Sequence, residues 1–170
     1  AGTDRPLPDA RVHELISARA ARTPDAVALG GMGRTLTYRA LDEASNRLAW
    51  HLIARGVRPE TRVGVFAGRS AETVIAILGI LKAGGAYVPL DPAHPAERLR
   101  YMLASAGVRT VVAPSGVPEG LPAGMIADVL DLAAEAGAVS ARPAGAPGVA
   151  VDAENLAYVI YTSGSTGLPK

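Results

Sequence analysis

The chain has 170 residues, 49% of them hydrophobic and 19% charged, with a formal net charge of +1; this balance excludes intrinsic disorder and suits one domain that buries about two thirds of its unfolded surface. Arg22, Arg34, Arg47 and Arg69 are interspersed with Glu14, Asp42, Glu43 and Glu72, so no basic stripe is available to bind nucleic acid. With no cysteine there is neither a disulfide framework nor a thiolate nucleophile, and the longest apolar run, VIAILGIL, is cut by Lys82, Gly84 and Gly85 short of the roughly 20 residues a membrane span needs.

The opening stretch AGTDRPLPDARVHEL has no basic region followed by an apolar core, and the expectation is a soluble cytoplasmic protein without a membrane partner. RVHELISARAA carries Val12, Leu15, Ile16 and Ala20 at helical spacing, with Asp9 placed as N-cap and Pro24 closing the segment. AVALGG predicts a short strand, with Gly30, Gly31 and Gly33 turning into a second one around Arg34 to Leu36. From Thr37, an expected N-cap, Leu41, Ala44, Leu48 and Leu52 mark one face of a long helix that ends at Gly56.

RVGVFAG suits a strand buried on both faces of a parallel sheet. SAETVIAILGILKAGG predicts a deep helix, apolar nearly all round, capped by Ser70 and ended by a glycine pair. AYVPL is the next strand, Pro95 is expected at the first helical position of PAERLRYMLASAG with Leu99, Met102, Leu103 and Ala106 inward, and TVVA is the strand after it. This alternation predicts an α/β fold, a mostly parallel sheet with helical crossovers. From about residue 114 to 152 the periodicity fades except in GMIADVLDL, and RPAGAPG reads as a linker loop. His13, His51 and His94 are too far apart in sequence for a local metal motif and are expected to be surface or packing residues.

The chemistry is concentrated in LAYVIYTSGSTGLPK, a buried-type strand running into a loop of glycines and hydroxyls. In open α/β sheets ligands bind beyond the carboxyl ends of the strands. Gly164 and Gly167 would let backbone N–H groups approach an anion, Thr162, Ser163, Ser165 and Thr166 add hydroxyl donors, and Lys170 adds a charge within reach of phosphate oxygens. It is not a Walker A loop, because only two residues separate Gly164 from Gly167 and Leu168-Pro169 precedes the lysine. On residue chemistry alone, a solvated linker is an equal alternative.

Three stretches together, LTYRALDEASNRLAWHL (36–52), LKAGGAYVPLDPAHPAERL (81–99) and LAYVIYTSGSTGLPK (156–170), resemble the adenylation domains of non-ribosomal peptide synthetases, within the superfamily of acyl- and aryl-CoA ligases and firefly luciferase. HELISARAARTPDAVAL resembles the approach to such domains. The resemblance implies that residues 1–170 are the N-terminal portion of the large core domain of an adenylating enzyme, with residues 156–170 as its phosphate-loop motif. It implies an AMP-forming ligase of antibiotic and other secondary-metabolite biosynthesis: an amino-acid carboxylate attacks the α-phosphorus of ATP, and the phosphopantetheine thiol of a peptidyl carrier protein then takes the acyl group. ATP is implied with Mg2+, whose ligand is expected outside this stretch. The implied partners are the amino acid, the remainder of the domain, the carrier protein, and a neighbouring condensation domain or small MbtH-like activator. Thr162, Ser163, Gly164, Ser165, Thr166, Gly167 and Lys170 are the implied ATP-binding residues; no catalytic or metal-ligating residue is expected among the 170, and the stretch alone is expected to be inactive. An acyl- or aryl-CoA ligase, and a non-catalytic interaction module, are the alternatives. Lys82 is expected to solvate or cap its helix end, Asp91-Pro92 to form a turn, and Tyr38 and Leu41 to belong to the core.

Overall fold

The computed structural model describes residues 9–31, 34–66, 68–118, 126 and 128–162. Helix α1 spans Val12–Arg22, the strands β1 (Val27–Leu29) and β2 (Leu36–Thr37) form an antiparallel pair, and helix α2 spans Tyr38–Ala54. Thr37 caps α2 as its sequence predicts, the hydroxyl accepting from Ala40 N at 3.2 Å. Leu41, Leu48 and Leu52 lie on its buried face, each worth about 1.5–3 kcal/mol of apolar burial.

Strand β3 (Arg62–Phe66), helix α3 (Ala71–Lys82), strand β4 (Ala86–Leu90), helix α4 (Ala96–Ala106), strands β5 (Thr110–Ala113) and β6 (Asp128–Asp131) and the short helix α5 (Ala136–Ser140) follow. The sheet order is β4-β3-β5-β6, and all three pairings are parallel. Val63, Val65 and Val112 join α2 and α3 in one core cluster, while Val88, Leu90, Val111 and Ala113 join α4 in another. The sheet is therefore covered on both faces, which is why its strands are continuous apolar runs instead of alternating ones. This is the α/β fold with a mostly parallel sheet that the chain order predicts.

Several local expectations are corrected. Asp9 does not cap α1: Arg11 is the N-cap residue, its N–H donating to Glu14 Oε2 at 2.8 Å, and its guanidinium donates to the Asp9 carbonyl. Val12 and Leu15 are exposed, and His13 and Ala20 face the body instead. That face is set by polar contacts across helices, among them Ser17 Oγ donating to Asp42 Oδ1 at 2.6 Å. Pro95 is the N-cap of α4 and not its first helical residue. Within residues 114–152, DVLD of GMIADVLDL is strand β6, and α5 follows where no periodicity announces it. RPAGAPG is docked on α2: Asn46 Nδ2 donates to the Ala144 carbonyl at 2.7 Å and Trp50 Nε1 to that of Gly145 at 2.9 Å.

Candidate functional site: the segment feeding the glycine and hydroxyl loop

The segment that leads into YTSGSTGLPK runs beside the β4 edge of the sheet. Tyr87 N donates to the Ala157 carbonyl at 3.1 Å, Val159 N donates to the Tyr87 carbonyl at 3.0 Å, and the bridge between Tyr87 and Tyr158 is parallel. The segment therefore points toward the same end of the sheet as β3 to β6, the carboxyl end where open α/β sheets bind ligands. The ladder stops after this one bridge because the next donor facing that edge would belong to Pro89, which has no N–H.

Two further anchors flank the bridge. Upstream, Glu60 Oε1 accepts from Asn155 Nδ2 and from Leu156 N, each at 2.9 Å. Downstream, the Tyr161 hydroxyl donates to the Met102 carbonyl at 3.2 Å and shares a short hydrogen bond with Ser105 Oγ, while its ring meets Tyr101 edge-on at 6.2 Å. Thr162 follows directly and is exposed. Of the predicted site residues, Thr162 is thus placed beyond the strand ends; Ser163, Gly164, Ser165, Thr166, Gly167 and Lys170 lie outside the described residues. The positioning contacts from Glu60 and Tyr161 were not singled out from the sequence, and no local pattern announces them.

LAYVI is not the fully buried strand its composition suggests. Val159 and Tyr161 pack toward α4, whereas Leu156, Tyr158 and Ile160 are 38%, 54% and 53% exposed. The side chains alternate as a half-covered edge requires. On the exposed side, Val12, Ile16, Val74, Ile77, Leu81 and Tyr158 border an apolar groove of about 610 Å3 between α1, α3 and the 151–158 segment. The Tyr87 and Tyr158 rings meet there at a tilt of 40°, centroids 5.7 Å apart.

Lys82 neither solvates nor caps its helix end. Its side chain is 3% exposed, and Nζ donates to Asp42 Oδ1 at 2.7 Å, Asn46 Oδ1 at 2.7 Å and Ser45 Oγ at 2.8 Å. Burial pushes the ammonium below its usual value, with Asp42 opposing. Burial likewise disfavours the Asp42 carboxylate, but bonds from Lys82 and Ser17 outweigh it and hold that pKa low. With its donors satisfied by α2, this lysine ties α3 to α2 and has no free N–H to offer a substrate. Asp91 closes a turn, as expected: its carboxylate accepts from Ala93 N at 2.9 Å and its carbonyl from His94 N at 3.0 Å. Leu41 is core, and Tyr38 lies under the Arg19 guanidinium, 5.8 Å from the ring centroid.

Known proteins resemble this chain in sequence and in fold. The chain is 46% identical over 159 residues to one of the linear gramicidin synthase proteins of Brevibacillus parabrevis, covering 94% of this chain and 3% of that protein. It is 42% identical over 168 residues to phosphinothricin tripeptide synthetase PhsC of Streptomyces viridochromogenes, covering 98% of this chain and 16% of that one. Its fold matches the nonribosomal peptide synthetase FmoA3 in its α-methyl-L-serine-AMP-bound form with a TM-score of 0.84 and 36% identity, over 95% of this chain and 18% of that one, and in its AMPPNP-bound form with a TM-score of 0.83. The chain thus spans a small part of the length of these relatives. Residues 16–170 match the model of the AMP-binding enzyme family, and with the parallel sheet and its edge segment in place, this chain belongs to that family.

Proposed function

We propose that this chain is part of an amino-acid-activating, AMP-forming ligase of non-ribosomal peptide synthesis. The observation that carries the reading is the parallel course of the segment around Tyr158 along the β4 edge, which directs the chain toward the carboxyl end of the sheet just before the glycine- and hydroxyl-rich sequence. The amino-acid carboxylate attacks the α-phosphorus of ATP, giving aminoacyl-AMP and pyrophosphate. The thiol of a phosphopantetheine on a carrier protein then attacks the acyl carbon and releases AMP. The part we assign to the sequence 162–170 is electrostatic: its backbone N–H groups, its hydroxyls and the Lys170 ammonium supply donors and charge to the phosphates as charge develops on them.

The ligand of the Mg2+ that accompanies ATP belongs, in this reading, to the remainder of the enzyme. The remainder of the enzyme supplies the amino-acid pocket and the adenine contacts. A neighbouring condensation domain or a small MbtH-like activator is a further partner in the same reading.

The test is amino-acid-dependent exchange of pyrophosphate into ATP by the full enzyme. Lys170→Ala is expected to cost about 1.5–3 kcal/mol, roughly ten- to a hundred-fold in kcat/KM for ATP, with the amino-acid KM unchanged. Wild-type ATP kinetics in that variant would sink the phosphate-loop reading. Acyl transfer to free coenzyme A in place of the carrier thiol would reassign the enzyme to the CoA ligases.

A further inference from the structure

Glu60 is the one non-glycine residue with positive φ among the described residues, at +70°. It occupies a turn in which Thr61 N donates to the Arg58 carbonyl at 3.0 Å and Arg58 N to Thr61 Oγ1 at 3.1 Å, with Pro59 before it. Proline followed by a residue of positive φ is the pattern of a type II turn, in which glycine is the favoured third residue. A glutamate here stores backbone strain that glycine would avoid, and retained strain points to a use for the side chain.

That use is visible. Glu60 Oε1 receives both Asn155 Nδ2 and Leu156 N. Asn155 is itself fixed by a tight turn, accepting from Asp152 N at 2.8 Å and donating its own N–H to the Asp152 carbonyl at 3.2 Å. The carboxylate thus holds the first residue of the segment that runs along β4. Because Pro89 ends the backbone ladder after Tyr87, the sheet pins this segment at a single bridge. A slip of one residue would turn Val159 and Tyr161 away from α4 and move Thr162 with them.

We propose that Glu60 is a positioning residue for the phosphate loop: it sets the register of residues 156–161 on the β4 edge and so fixes where the loop starts. This rests on the phosphate-loop reading above. Glu60 touches neither substrate nor the reacting atoms in this role; it acts through Leu156.

Glu60→Gly separates the effects of strain and grip, since glycine suits the turn but lacks the carboxylate, while Glu60→Gln keeps the acceptor oxygen. In the full enzyme, Glu60→Gly is expected to lower kcat/KM for ATP about three- to ten-fold, the worth of one or two hydrogen bonds. The amino-acid KM should stay unchanged, and Glu60→Gln should restore most of the loss. Hydrogen exchange supplies a readout independent of activity: the Leu156 and Val159 amides should lose protection in Glu60→Gly and keep it in Glu60→Gln. Unchanged protection and ATP kinetics in Glu60→Gly, alongside impaired Lys170→Ala, would overturn the positioning role and leave the phosphate-loop reading intact. An equal loss toward ATP and the amino acid would also overturn it, as a general structural defect. Lost amide protection with wild-type ATP kinetics in both Glu60→Gly and Lys170→Ala would place the failure in the phosphate-loop reading and remove the loop from the role of Glu60.

Discussion

Gly79 of α3 lies so close to Leu48 of α2 that a Cβ on the glycine would stand 2.8 Å from both Cγ and Cδ2 of the leucine. Leu48 is fully buried and cannot swing into solvent. Gly79→Ala should therefore destabilise the fold by about 1–2 kcal/mol, the strain of overpacking exceeding the roughly 1 kcal/mol by which alanine improves helix propensity. Urea denaturation is the measurement, and an unchanged or raised midpoint would show that α2 and α3 can separate at little cost.

Removing the Lys82 ammonium should be more damaging. Lys82→Met leaves the partly buried Asp42 carboxylate and the Asn46 and Ser45 oxygens facing an apolar chain. Breaking one side of a buried pair typically costs about 3–5 kcal/mol. Thermal unfolding should show a large drop in midpoint, and adding Asp42→Asn should recover part of it, because the stranded charge is then gone.

These two contacts also mark what the sequence reveals and what it hides. Thr37 and Ser70 act as caps where predicted, Ser70 Oγ accepting from Thr73 N at 3.2 Å, because a cap depends only on residues within one turn. The inward faces of α2 and α4 and the parallel strands β3, β4 and β5 are legible for the same reason, as their periodicity is local. The burial of Lys82 is not, since its three partners stand on α2. Likewise β6 and α5 are stabilised by contacts such as Arg55 Nη1 to Asp128 Oδ1 at 2.6 Å, between residues far apart in the chain. In the site, the motif names the loop, but the half-exposed edge segment depends on Pro89, Glu60 and Tyr161, whose effects appear only once the sheet is assembled.

Acid should weaken the fold in two stages. Burial, aided by Lys82 and Arg11 and opposed by Glu14, holds His13 below its ordinary value of 6.5. Burial works against the Asp42 carboxylate, but its hydrogen bonds prevail and hold it below 3.8, and a backbone N–H at the start of α3, with Arg34, holds Glu72 below 4.5. In each case the unfolded chain binds the proton more readily, so stability rises with pH and is lost as pH falls. The first loss begins below 6.5 through His13, and the second begins below the ordinary carboxylate values and runs through the depressed ones. His13→Gln should flatten the first stage and leave the second. A stability profile flat between neutrality and the carboxylate range in the unsubstituted chain would refute the assignment to His13.

Trp50 is the only tryptophan of the chain, and its indole N–H donates to the Gly145 carbonyl, so its emission reports directly on the docked 140–148 loop. Arg47 grips the same loop one turn away, Nη1 donating to the Ser140 and Arg142 carbonyls at 2.7 Å each. Carbonyls that bond a guanidinium gain more than neutral pairs, and losing both contacts should cost about 1–3 kcal/mol. Arg47→Ala should therefore free the loop before it unfolds the sheet, since the core clusters under α2 and α3 do not involve Arg47. The expected signature is a red-shifted Trp50 emission and easier quenching by acrylamide, with far-ultraviolet circular dichroism unchanged. If emission and quenching stay as they were, the loop is held by Asn46, Trp50 and its own packing, and Arg47 contributes no more than a surface contact.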